Sequence, residues 1–229
     1  MAQPIKWDYP YWNKKFREAT DLDAVHEEFY KAAGIHVHSV NLKTGEAPSL
    51  LPHKDYVLRD LIVKTRTSGT MLVIAFWLAH FPLHMGLTYD FTVDGVECYL
   101  KAVNSARVTQ STLPPELAKK FSFNHGVAED LSGYQLYDVI VCFCLEHVRN
   151  PKRIVDEALK HLKPDGALYF TPPIGHGTDS PTHLHHFEEA DLRALFPPEY
   201  TVNIYRTRFL KDSPRDNCFI VEAQKQSGT

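Results

Sequence analysis

The chain has 229 residues, 44% of them apolar and 23% charged, with a formal net charge of -3. That length can bury a substantial core, and the composition is that of an ordinary soluble globular protein. The charge gives no general attraction to nucleic acid or to an anionic membrane, and no Lys/Arg block announces a local patch.

The N-terminus, MAQPIKWDYPYW, lacks an apolar signal core, and no run reaches membrane-spanning length, so a cytoplasmic location is expected. Residues 1–65 read as a cap added to a domain at 66–229. Trp7, Tyr9, Tyr11, Trp12 and Phe16 crowd the start as a lid or packing segment, not as a platform for stacking bases. DLDAVHEEFYKAAG follows as a helix, with an aspartate near its start and Gly34 at its exit. NLKTGEAPSLLP is a turn-rich connector, and HKDYVLRDLIVKTR spaces Tyr56, Leu58, Leu61 and Ile62 along one helix face.

From Thr70 onward, strand and helix patterns alternate. MLVIA is a buried parallel strand, WLAHFPLHMGL a helix despite Pro82, and DFTV a second strand ending in Asp94. GVECYLKAVNSARV is the next helix, ELAKK a short one and FSFNHGV a strand. YDVIVCFCL is the most convincing strand. Its Cys142 and Cys144 read as reduced core thiols, since no CxxC spacing supports zinc or thiol-redox chemistry. NPKRIVDEALKHLK is a helix, PDGALYFTPP a turn and strand, and EEADLRALFP a helix. The tail gives two strands, YTVNIYRTRFL and NCFIVEAQ, joined by KDSPRDN. The pattern predicts an α/β fold whose sheet has about seven mostly parallel strands and an antiparallel finish. Met71–Ala75 and Asp138–Cys142 are expected to be neighbours in it.

Residues 137–173, YDVIVCFCLEHVRNPKRIVDEALKHLKPDGALYFTPP, resemble the class I S-adenosylmethionine-dependent methyltransferases of the small-molecule, type 11-like kind. The likeness rests on Asp138, on Leu145-Glu146-His147-Val148 and on Leu162-Lys163-Pro164-Asp165-Gly166. HLHHFEEADLRALF adds a resemblance to that family's His-x-x-x-Phe helix start. The resemblance covers roughly residues 70–222 and implies a Rossmann-like fold. Laid on the family pattern, Ala75, Trp77 and Ala79 stand at three usual glycines and Val73 at a usual acid. By the same resemblance, Asp94 would take the ribose hydroxyls and Ala128 would lie in the adenine-contacting turn, where Val127 replaces a polar residue. Phe143 and Leu145 would line the methionine end.

S-adenosylmethionine is the implied cofactor, and the replaced glycines count against it. Glycine in such a turn permits positive φ and leaves room for a ligand. Phe76 and Trp77 are therefore expected to fill part of the cofactor's volume. His147 and His176 are the candidate bases. The plainer reading of Glu146 and His147 is that they orient the following helix, and that of Asp94 is a strand-end cap. His176, His183, His185 and His186 are dense but lack a carboxylate scaffold, so no metal site is expected and some of them line the site's mouth. Three functions stay open: a small-molecule methyltransferase, a non-catalytic relative serving a protein partner or homo-oligomer, and a methyltransferase fold with other chemistry. Neither nucleic acid nor membrane is an expected partner.

Overall fold

The computed structural model describes residues 9–47, 51, 53–174, 180–207 and 217–226. Trp7, His176 and most of KDSPRDN therefore lie outside the described residues. Three helices come first, α1 (Tyr9–Glu18), α2 (Leu22–Ala32) and α3 (His53–Thr65). β1 (Ser68–Ile74), α4 (His80–Thr88), β2 (Asp90–Glu97), α5 (Leu100–Ser111), α6 (Pro115–Ala118) and β3 (Phe121–His125) follow. The second half comprises β4 (Tyr137–Cys142), α7 (Pro151–Lys160), β5 (Leu162–Phe170), α8 (Glu189–Ala194), β6 (Tyr200–Thr207) and β7 (Cys218–Lys225).

These strands form one seven-stranded sheet in the order β3-β2-β1-β4-β5-β7-β6, with β7 antiparallel to both neighbours. β1 and β4 pair directly, Met71 opposite Val139 and Ile74 opposite Cys142, as expected. Alternation sorts the side chains into two cores. Met71 and Val73 join Leu58 and Ile62 of α3 on one face, while Leu72 and Ile74 join Ile154 and Val155 of α7 on the other. Each such fully buried aliphatic side chain contributes roughly 1.5 to 3 kcal/mol. Pro82 sits in the first turn of α4, where its missing N–H breaks no helical bond.

Asp138 fastens the strands at the opposite end from the site. Its carboxylate accepts from the Thr70 amide (2.8 Å) and hydroxyl (2.9 Å) and pairs with Lys163 (2.8 Å) and Arg66 (2.9 Å). Gly69, at φ 120°, lies so close that a Cβ there would meet Asp138 Oδ2 at 2.6 Å.

Trp12, Phe16, Val25 and Phe29 of α1 and α2 form a third small core with Leu184. Asp21 caps α2 by accepting from the Ala24 amide (3.0 Å). Asn13 donates to the His183 carbonyl (2.9 Å) and Arg17 to the Leu184 carbonyl (2.6 Å), which ties the helical cap to the loop after β5.

The second strand departs from the sequence expectation. The strand is expected to end at Asp94 and a helix to begin at Gly95, yet β2 runs on through Gly95 and Val96 to Glu97, and α5 starts only after Tyr99. The physical reason is Phe76, whose ring occupies the space a Cβ at residue 95 would need, 2.6 Å from it. Glycine is here a packing choice within a strand.

Candidate active site

The turn after β1 keeps an unusual backbone. Ala75, Trp77 and Ala79 have φ of 59°, 49° and 59°, the only non-glycine residues with positive φ among those described. Each left-handed L-residue costs roughly 1 to 2 kcal/mol. The turn is held by several bonds: Ala75 N–H donates to the Val96 carbonyl (2.8 Å), Ala79 N–H to Phe76 (2.9 Å) and Trp77 N–H to Glu97 Oε2 (3.0 Å).

The side chains of this turn line the cavity without closing it. Phe76 turns into the core against Phe123, ring centroids 5.0 Å apart. Trp77 leans on the cap, 4.5 Å from the Tyr30 ring and stacked on Tyr99 at 6.0 Å. Beside them remains a cavity of about 970 Å³. Ala75, Trp77, Ala128 and Phe143 all line it, as does His147, so five predicted residues are brought together. Ala79 is fully buried at the start of α4 and acts through the backbone.

Asp94 is placed elsewhere. It lies mid-strand, opposite Leu72 and Ser122, and accepts from the Tyr137 hydroxyl at 2.5 Å. The acid that ends β2 and lines the cavity is Glu97, 6% exposed, which also accepts from the Tyr99 amide (3.0 Å). Following the apolar alternation of Phe91 and Val93 through Gly95 is the sequence signal that finds it.

At the far end of the cavity Phe143 meets Phe81 edge-on (5.4 Å), with the Lys54 ammonium 5.6 Å above its ring. Two polar groups there were not foreseen. Asp55 is 7% exposed, its Oδ1 has no hydrogen-bond partner among the described residues, and burial, only partly offset by Lys54, pushes its carboxyl up to about 6. His80 Nε2 is likewise buried without a partner among the described residues, and burial lowers the ring's pKa, helped by His38. Nothing in their local sequence marks them; only the fold brings α3 and α4 to one cavity.

His147 sits 3.0 Å from the Thr182 carbonyl through Nδ1, and burial lowers it to about 4. An imidazole held that low is a weak proton acceptor at neutral pH. Phe16, Leu22, His26 and Tyr30 of the cap complete the cavity wall.

A family described as a methyltransferase domain matches residues 77–212, more than half of the chain. The ubiquinone biosynthesis O-methyltransferase of Rickettsia akari is 34% identical over 68 residues, 29% of this chain and 27% of that protein. The match thus spans about a quarter of that relative's length. Among solved structures, magnesium protoporphyrin IX methyltransferase from Synechocystis with bound S-adenosylhomocysteine superposes with a TM-score of 0.64 at 12% identity. That match covers 89% of this chain and 99% of the other. The N-methyltransferase NodS from Bradyrhizobium japonicum gives 0.61 at 15% identity, over 76% and 95%. At these identities the likeness is one of fold.

Proposed function

The chain belongs to the methyltransferase-domain family, and from that premise we propose that it is an S-adenosylmethionine-dependent methyltransferase acting on a small molecule. The observation that carries this reading is the left-handed backbone kept at Ala75, Trp77 and Ala79 beside an open cavity. Strain of this kind persists where surrounding structure over-determines it, and it clusters at ligand sites. The cavity is large enough for the cofactor and a small acceptor together.

Bound S-adenosylmethionine supplies an electrophilic methyl group on a sulfonium centre. Glu97 is the residue suited to its ribose: each carboxylate oxygen takes one backbone amide and keeps a further lone pair for a diol hydroxyl. Ala75 and Trp77 line the turn side, Ala128 the adenine side, and Phe143 the boundary with the acceptor. Beyond Phe143, Asp55 is placed to orient the acceptor and, near its pKa at neutral pH, to take its proton. The rest of catalysis is alignment of acceptor and methyl group inside the cavity. A non-catalytic role is favoured by one observation, the buried Val73 where an acid is usual. The open cavity and the retained strain favour the active reading.

The test is calorimetric titration with S-adenosylmethionine and S-adenosylhomocysteine. Wild type should bind, Glu97→Gln should lose at least tenfold in affinity, and Asp94→Asn should bind as wild type. Silence of the wild type at millimolar ligand, or equal loss in both variants, would reject the assignment.

A further inference from the structure

We propose that Glu146, His147 and His183 form a binding site for a divalent cation of zinc's class, opening onto the far end of the cavity. One ligand atom from each lies within 4.8 Å of the other two. Two imidazoles and one carboxylate make a donor set that zinc accepts as three protein ligands, with a fourth position left for water or substrate. The proposal stands apart from the cofactor assignment and needs none of it.

The hydrogen bonds leave lone pairs of the three side chains facing one another. A carbonyl can only accept, so the Thr182 oxygen, 3.0 Å away, places the proton of His147 on Nδ1. This is the outer-shell bond that fixes the metal-binding tautomer of a histidine. Nε2 is then a lone pair, and it faces Glu146 Oε1 at 3.6 Å, beyond hydrogen-bond range. His183 stands edge-on to His147, ring centroids 4.9 Å apart, with a buried Nδ1 that has no partner among the described residues.

Glu146 is itself buried, 5% exposed, and a divalent cation bound beside it would offset the desolvation of its carboxylate.

The two loops that carry the ligands are stitched together before any ion arrives. Leu184 and His185 amides both donate to the Glu146 carbonyl, at 2.7 and 3.2 Å. His147 and Thr182 line the cavity, which brings the cluster to its wall.

The experiment uses the untagged full chain, stripped with a chelator and titrated with Zn²⁺ by calorimetry and with Co²⁺ by visible absorption. One equivalent should bind with a Kd of about micromolar or tighter, and Co²⁺ should show d–d bands of a four- or five-coordinate site. Glu146→Gln and His183→Ala should each weaken binding at least tenfold and bleach those bands, while the exposed His186→Ala binds as wild type. Circular dichroism checks folding; should Glu146→Gln unfold, the partly exposed His183→Ala carries the test. No saturable binding to the folded wild type, or His183→Ala binding as tightly as wild type, would overturn the site. Titration of the same samples with S-adenosylmethionine reads the cofactor assignment separately, so either can fail without the other.

Discussion

At most positions alanine is more stabilising than glycine; at residue 77 the order should reverse. Both Trp77→Ala and Trp77→Gly remove a half-buried indole and its ring contacts with Tyr30 and Tyr99. At roughly 0.5 to 1.5 kcal/mol per aromatic pair plus burial, each should lose about 2 to 3 kcal/mol. They differ in what remains. At φ 49° alanine keeps the left-handed penalty of roughly 1 to 2 kcal/mol, while glycine escapes it. Glycine's extra freedom in the unfolded chain returns about 0.4 to 1 kcal/mol of that gain. The glycine variant should therefore be the more stable of the pair by about 0.5 to 1 kcal/mol. For a chain of this size that is about 1 to 4 °C in Tm by scanning calorimetry at matched concentration. S-adenosylmethionine affinity should fall by no more than a few-fold in either. An alanine variant that melts at or above the glycine variant would refute the claim that this turn holds residue 77 left-handed.

Asp138 should govern acid stability: burial opposes its ionisation, but hydrogen bonds from Lys163 and Thr70 outweigh it and hold the carboxyl at about 2. Its folded pKa lies below the ordinary value, so its contribution is present above about pH 4 and lost as pH falls toward 2. With solvent screening this is about 1 to 2 kcal/mol, absent in Asp138→Asn melts. Asp55 has the opposite sign, because its raised pKa makes stability fall as pH climbs from about 4 through about 6. Asp55→Asn should gain up to about 2 to 3 kcal/mol at pH 7.5 but none at pH 4, while methyl transfer drops; equal gains at both pH values would refute the shift. Gly95→Ala should cost about 1 to 3 kcal/mol and weaken cofactor binding, since its Cβ, 2.6 Å from the Phe76 ring, drives that ring toward the cavity. Unchanged urea midpoint and affinity would show that Phe76 has room to move elsewhere.

Much of the frame was legible from local patterns. The apolar runs of β1 and β4 sufficed to make them neighbours, because a strand buried on both faces shows no alternation. Asp21 and Gly34 bounded α2 because capping chemistry is local. No helix among the described residues is long and apolar enough to cross a membrane. The site was legible only where it lies in loops whose position follows from strand order, as with Ala128, Phe143 and His147. Glu97 was missed because the second strand was ended at Asp94, and only Phe76, 19 positions earlier, shows why a glycine sits inside the strand. His183 met Glu146 through backbone bonds between two loops, a pairing no spacing within either loop encodes.

The glycine question has the same root. Reading residue types at 75, 77 and 79 treats glycine as the cause of the turn, when glycine only lowers its cost. The conformation is imposed by the Val96 carbonyl and the Glu97 carboxylate, which fix the Ala75 and Trp77 amides from the neighbouring strand. Given those partners, alanine and even tryptophan are held left-handed, and side-chain bulk becomes a separate question answered by where each ring goes. Gly95 supplies the space for Phe76, and Tyr30 with Tyr99 supplies the wall for Trp77. Two of those three accommodating residues lie in or beside β2 and the third in α2 of the cap. The cavity's survival therefore depends on the cap being docked, through the Asn13 and Arg17 bonds to the 183–184 backbone.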